Sequence, residues 1–296
     1  MIRFPQPPIS TPPSLDHIIL LLPHSSLVQP PPSLVKSFNL TPGGRHADNK
    51  TQNKLLVFES GFYIELIAFI PPEEENKRGH WWGRKGGGFV DWAVTSGSVE
   101  DVWRVVRGDG LRESDDGGEA GMPVSYERPR SGGRRRMDGV DVRWEVTFPN
   151  PGIERGNVPF WCHDVTPREL RVPSDESVVR HACGAVGVAE VRIVTRGQDL
   201  ESYGKVYEAI LSVGKEGSGE GKVWRYKIPQ PRVESNDVVI VLREPKDDFE
   251  ERLLERQSVA IAEVVLIVEG DGDGELPSIE EKIGEHGFRI SFVRSD

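Results

Sequence analysis

Two strand-like segments, 14–22 and 61–70, each set one ionisable, metal-capable side chain among apolar neighbours: His17 in the first and Glu65 in the second. Burying a polar group without a partner costs roughly 2 kcal/mol or more, and an ionised group costs further. Both side chains therefore require hydrogen bonds, a cation or a solvated cavity. A fold that satisfies both together brings the two segments to one site.

The same order of elements recurs along the chain. Residues 15–22 read as a strand, 34–38 as a Pro-broken helical stretch, Thr41-Pro-Gly-Gly44 as a turn, and 54–59 and 62–70 as strands, giving βαβββ. A charged loop and the linker ending Gly86-Gly-Gly88 precede a second unit. Its strand at 89–95 leads into a helix capped by Ser98, with Val99, Val102, Trp103 and Val106 on one apolar face. Strands at 123–127, 140–148 and 158–165 follow. In the middle one Val140, Val142, Trp144, Val146 and Phe148 alternate with polar residues, so one face meets a core and the other water. A third unit has a strand at 188–195, a helix at 199–211, and strands at 223–228, 238–242 and 258–268. A short helix at 278–283 and a strand at 288–293 end the pattern. The expected architecture is α+β: tandem βαβββ modules whose curved mixed sheets form a cleft, plus a third module. The divisions are an extended Pro-rich leader (1–13), a two-module unit (14–165, modules 14–71 and 88–165), a linker (166–186), and a third module with a C-terminal extension (187–296).

Composition narrows the partners. Asp and Glu number 47 against 37 Lys and Arg, a net charge of −10, which argues against general affinity for nucleic acid or anionic membrane. The longest apolar run is far short of the roughly 20 residues a membrane span requires. Two cysteines, Cys162 and Cys183, imply no disulfide framework, so a reducing, cytoplasmic setting is expected. Arg134-Arg-Arg136 reads as a solvated hairpin tip, because no aromatic residues interleave with it.

The Leu15-Asp16-His17 start, the Thr41-Pro-Gly-Gly-Arg-His46 turn, Asn53-Lys-Leu-Leu-Val-Phe58, Tyr63-Ile-Glu-Leu-Ile67 and Pro159-Phe-Trp-Cys-His-Asp164 together resemble the glyoxalase-like domain of the vicinal oxygen chelate superfamily. The resemblance covers residues 14–165. It implies that two modules pair around a cleft and that metal ligands come from the first and last strand of each. Carried over residue by residue, it nominates His17, Glu65 and His163 as ligands, with Glu65 also as the catalytic base. Trp92 falls where the fourth ligand belongs, and Asp91 would reach that place only through a slip of register. Two imidazoles and a carboxylate suit one divalent ion of Fe, Mn, Zn, Co or Ni, and no organic cofactor is implied. Arg45, His46, Asn53, Trp92, Trp144 and Trp161 are the expected substrate contacts.

Two functions follow from the resemblance. One is a metal-dependent lyase, isomerase or dioxygenase acting on a small oxygenated substrate chelated in the cleft. The other is a non-catalytic protein that binds or sequesters a small molecule over a degenerate metal site. In the third unit Glu190 and Glu263 echo His17 and Glu65, or pair with Arg192. A homodimer through this third module is also expected.

Overall fold

The computed structural model describes residues 12–99, 102, 124–136, 138–217, 223–232, 235–270, 278–283 and 286–295. Most of the leader and most of the helix expected after Ser98 lie outside these residues. Fourteen strands are named among those described. The first eight are β1 (Ser14–Leu21), β2 (Thr41–Arg45), β3 (Thr51–Val57), β4 (Tyr63–Phe69), β5 (Gly88–Thr95), β6 (Arg130–Arg135), β7 (Asp141–Thr147) and β8 (Phe160–Asp164). They form one sheet in the order β2-β3-β4-β1-β5-β8-β7-β6. Each module contributes four neighbouring strands, and the modules join where β1 runs antiparallel to β5. Segment 41–45, expected as a turn, is a strand because β3 supplies its hydrogen-bonding partner.

The sheet curves until its two edges nearly meet. His46, just past β2, bridges to Arg134 on β6, and the Ala47 N–H donates to the Gly133 carbonyl oxygen at 3.1 Å. The concave side is thereby almost enclosed. Ile19 and Leu21 face inward with Ile67, Phe69, Ala93, Phe148 and Phe160. Ile18, Leu20 and Leu22 face outward into the largest core. Burial on both sides explains why β1 reads as an unbroken aliphatic run rather than an alternating one.

A second sheet covers the outward face. Its strands are β9 (Ala185–Thr195), β10 (Val223–Ile228), β11 (Val238–Arg243), β12 (Val259–Val268), β13 (Ile279–Ile283) and β14 (His286–Arg294), in the order β10-β11-β9-β12-β14-β13. The helix Gly197–Leu211 packs through Leu200, Tyr203, Val206, Tyr207 and Ile210. These elements carry the third module, with one difference in the roles of its strands. β11 lies parallel to β9, as β4 does to β1, so it closes that module. β12 runs antiparallel to β9, the relation of β5 to β1, and with β14 and β13 repeats the second module's strand arrangement. The third module thus finds a sheet partner within its own chain. Segment 279–283 is a strand rather than a helix, because pairing with β14 outweighs local helical preference. Glu190 and Glu263 both contact Arg192, at 2.7 Å each.

Trp92 and Trp161, expected in the cleft, are fully buried in the core between the sheets. Trp92 packs 5.7 Å from the Tyr207 ring. Replacing Trp92 by Ala should cost about 3 to 5 kcal/mol, the usual range for emptying an aromatic core site. Trp144→Ala, at the cavity wall, should cost distinctly less. Urea unfolding of both variants checks this, and equal losses would contradict it.

Candidate functional site

The inward face encloses a cavity of about 200 Å³. That is below the roughly 300 to 1000 Å³ of common ligand pockets, so only a small molecule fits. Apolar and aromatic side chains dominate its wall: Trp81, Trp82, Trp144, Val146, Phe148 and Phe160. The polar groups converge from β1, β3, β4 and the two edge strands.

A β-bulge aims the first of them. Leu15 pairs with Val94 and His17 with Ala93, so Asp16 is an extra residue and is carried to the cavity side beside His17. Asp16 is fully buried and held by Arg171 at 3.0 Å and Arg168 at 2.7 Å. Burial raises its pKa, but the two guanidinium groups and His17 outweigh this and hold the carboxyl well below the usual range. Arg171 also donates to the Tyr63 hydroxyl at 2.7 Å and to Asp164 at 2.5 Å. On the resulting platform the His17 ring stacks on Tyr63 at 4.6 Å, with Phe160 edge-on at 5.3 Å.

Glu65 is the centre of the site. Asn53 Nδ2 donates to its Oε1 at 2.6 Å, His46 Nε2 lies 3.3 Å from the same oxygen, and His17 Nε2 lies 3.8 Å from Oε2. Burial raises its pKa; the hydrogen bond and charge of His46, then His17 and Asn53, overcome this and lower it to about 2. Both imidazoles are oriented by second partners. His46 Nδ1 sits 2.7 Å from Thr51 Oγ1, and His17 Nδ1 sits 3.3 Å from Asp16. The double glycine serves this arrangement: Asn53 Oδ1 accepts from the Gly44 N–H at 2.9 Å, and a Cβ at Gly43 would stand 1.9 Å from that oxygen.

Register settles the remaining expectations. β5 carries a second bulge between its Ile19 and Leu20 partners, where Val90 is the extra residue and Asp91 pairs with Ile19. By the symmetry of the two bulges, Asp91 rather than Trp92 occupies the position matching His17. No slip of the strand is needed, because the bulge alone re-aims the side chain. Asp91 is committed to Arg155 at 2.5 Å and to the Trp82 indole N–H at 2.8 Å. Ala93 pairs with Phe160 as Ile19 pairs with Glu65, so Phe160 matches Glu65. His163 lies on the opposite face of β8, 3.0 Å from Ser96 Oγ and parallel to the Trp161 ring, while Cys162 faces the cavity. Of the expected contacts, His46, Asn53 and Trp144 line the cavity, whereas Arg45 is exposed outside it. Arg134, expected at a solvated tip, is 7% exposed and lines the wall. Sequence reasoning also missed Trp82, Phe160 and Arg171; the inward face of Arg134 became visible only through its pairing with Val142.

The four strand positions therefore offer an imidazole, a carboxylate, an ion-paired carboxylate and a phenyl ring, and they do not make a four-donor metal set. Among the described residues, Asp16, His17 and Cys162 are the three whose donor atoms lie within 4.8 Å of one another. Asp16 is already committed in this cluster, because two guanidinium groups occupy its carboxylate, and burial pushes the metal-free Cys162 thiol well up.

Comparisons with known proteins agree with this fold. Residues 15–209 match the family model described as a glyoxalase-like domain. A hypothetical protein from Staphylococcus aureus is similar in fold, with a TM-score of 0.67, 12% identity, and coverage of 95% of this chain and 100% of that one. A xylose isomerase-like TIM barrel/4-hydroxyphenylpyruvate dioxygenase fusion protein gives a TM-score of 0.50 at 9% identity, covering 89% of this chain and 37% of the other. No curated protein matches the sequence significantly.

Two outcomes follow from the site's electrostatics. Glu65 has a folded pKa of about 2 against an ordinary 4.5, so its stabilising contribution is present above about pH 4.5 and lost as pH falls toward 2. His80, beside the cavity wall, has its pKa lowered by burial to about 4; its contribution is present above about pH 6.5 and lost on the way down to 4. Denaturant titrations across this range should show both declines, with Glu65→Gln removing the lower and His80→Gln the upper. Separately, Gly43→Ala should displace Asn53 from Glu65 and cost about 1 to 3 kcal/mol. An unchanged unfolding midpoint for that variant would refute the close approach.

Proposed function

Because the chain belongs to the glyoxalase-like domain family of the vicinal oxygen chelate superfamily, we propose that it keeps the superfamily's cleft as a small-molecule binding site and uses it without a bound metal. The observation that carries this reading is Phe160. It supplies an aromatic surface where the second module would supply a ligand, and it packs edge-on against His17 in the cavity wall. The state of Glu65 supports the same conclusion. An efficient general base has a pKa near the working pH, and a carboxylate held at about 2 is a weak one. Glu65 instead serves as a fixed hydrogen-bond acceptor for the bound molecule. Arg171, Tyr63 and Phe160 hold His17 in place, and the indoles exclude water from the apolar part of the ligand.

A second reading, a metal-dependent lyase, isomerase or dioxygenase, draws on the two imidazoles that turn Nε2 toward Glu65. Calorimetric titration with Mn(II), Fe(II), Co(II), Ni(II) and Zn(II) above pH 7 separates the two. The binding reading expects no stoichiometric uptake, together with quenching of tryptophan fluorescence by small aromatic probes that is reduced in Trp144→Phe. Equimolar metal uptake that disappears in Glu65→Gln would favour the enzyme instead.

A further inference from the structure

The guanidinium groups around the cavity other than that of Arg134 are each matched to a carboxylate. Arg168 and Arg171 meet Asp16 and Asp164, Arg155 meets Asp91, and Arg130 meets Glu127. Arg134 has no such partner: among the described residues no carboxylate lies within ion-pair distance of its guanidinium. It is 7% exposed, its Nη2 donates to the Arg171 carbonyl oxygen at 3.2 Å, and its buried Nε has no hydrogen-bond partner. Glu65 acts on it only through space. Its direction follows from register. Arg134 pairs with Val142, which is 1% exposed, and therefore shares the inward face of β6 and β7 with Gly132 and Trp144.

A buried cation left without a counter-charge is costly, and a ligand that brings the counter-charge recovers that cost on binding. We propose that the cavity recognises a small, flat organic monoanion: a carboxylate paired with the Arg134 guanidinium, on an aromatic body that lies among Trp82, Trp144, Phe148 and Phe160. This rests on the binding reading above and names the class of ligand. A guanidinium fork matches a carboxylate in shape and charge. A carboxylate carries the single charge that Arg134 can match, whereas a dianionic phosphate brings a second one and meets stronger repulsion from the ionised Glu65 in the same cavity.

The test uses the full chain with benzoate, benzamide and phenyl phosphate as probes, followed by calorimetry and tryptophan fluorescence. Benzoate should bind about tenfold or more tighter than benzamide, as a charge-assisted hydrogen bond implies. Phenyl phosphate should bind no tighter than benzoate. Arg134→Gln should bring benzoate to the affinity of benzamide while benzamide itself stays within about twofold. Equal affinity of benzoate and benzamide for the wild type would overturn the carboxylate assignment and leave the binding reading standing. Tighter phenyl phosphate would also overturn it, in favour of a phosphate ligand. Binding of none of the three would refute the binding reading and this inference with it. Should Arg134→Gln fail to fold, as judged by circular dichroism, the wild-type ratio and Arg134→Lys decide: the lysine variant should lose part of the preference by losing the fork.

Discussion

The bulged antiparallel junction of β1 with β5 is the constraint on which the rest depends. It fuses two four-stranded modules into one curved sheet, and it supplies the extra residue that places Asp16 beside His17 on the inward face. A regular strand would send one of the two outward. With both inward, Asp16 can anchor Arg168 and Arg171, and Arg171 can fix Tyr63, the ring on which His17 rests. The matching bulge in β5 turns Asp91 inward to meet Arg155 and Trp82. Equivalent backbone positions thus hold different chemistry: one half presents a polar cluster, and the other an aromatic wall with its single carboxylate neutralised.

Closure of the sheet gives this asymmetry its consequence. The seam at His46 and Arg134 joins the edge strands of the two modules, so the imidazole that supports Glu65 and the unpaired guanidinium come from opposite ends of the same sheet. In a low-dielectric enclosure every such charge must be matched or compensated. Glu65 is compensated by Asn53, His46 and His17, and Arg134 is left for a ligand. The second sheet contributes nothing to the wall. It covers the outward face of β1 and β5, and that cover leaves Trp92 and Trp161 as core residues.

Much of the fold was legible in the sequence. Apolar runs bounded by Gly and Pro marked the strands, the period of Leu200, Tyr203, Val206, Tyr207 and Ile210 marked the long helix, and the recurrence of βαβββ marked the modules. His17 and Glu65 were conspicuous as ionisable groups in apolar strands, since burial obliges such groups to find partners. The site was legible only in that half. His163, Trp92 and Trp161 were assigned by counting along strands, and one bulged residue or one step of alternation moves a side chain through the sheet.

What the sequence by itself determined is the apolar strands and the long helix, that two modules pair, and that His17 and Glu65 require partners, because these follow from local periodicity and desolvation. The tertiary structure decided which neighbours those residues meet: Asp91 and Phe160 at the matching positions of module two, His46 across from Glu65, and Arg134 within the cavity rather than at a solvated tip. Such choices depend on strand register and sheet closure. Both are set by hydrogen bonds between residues far apart in the chain, and no local pattern encodes them.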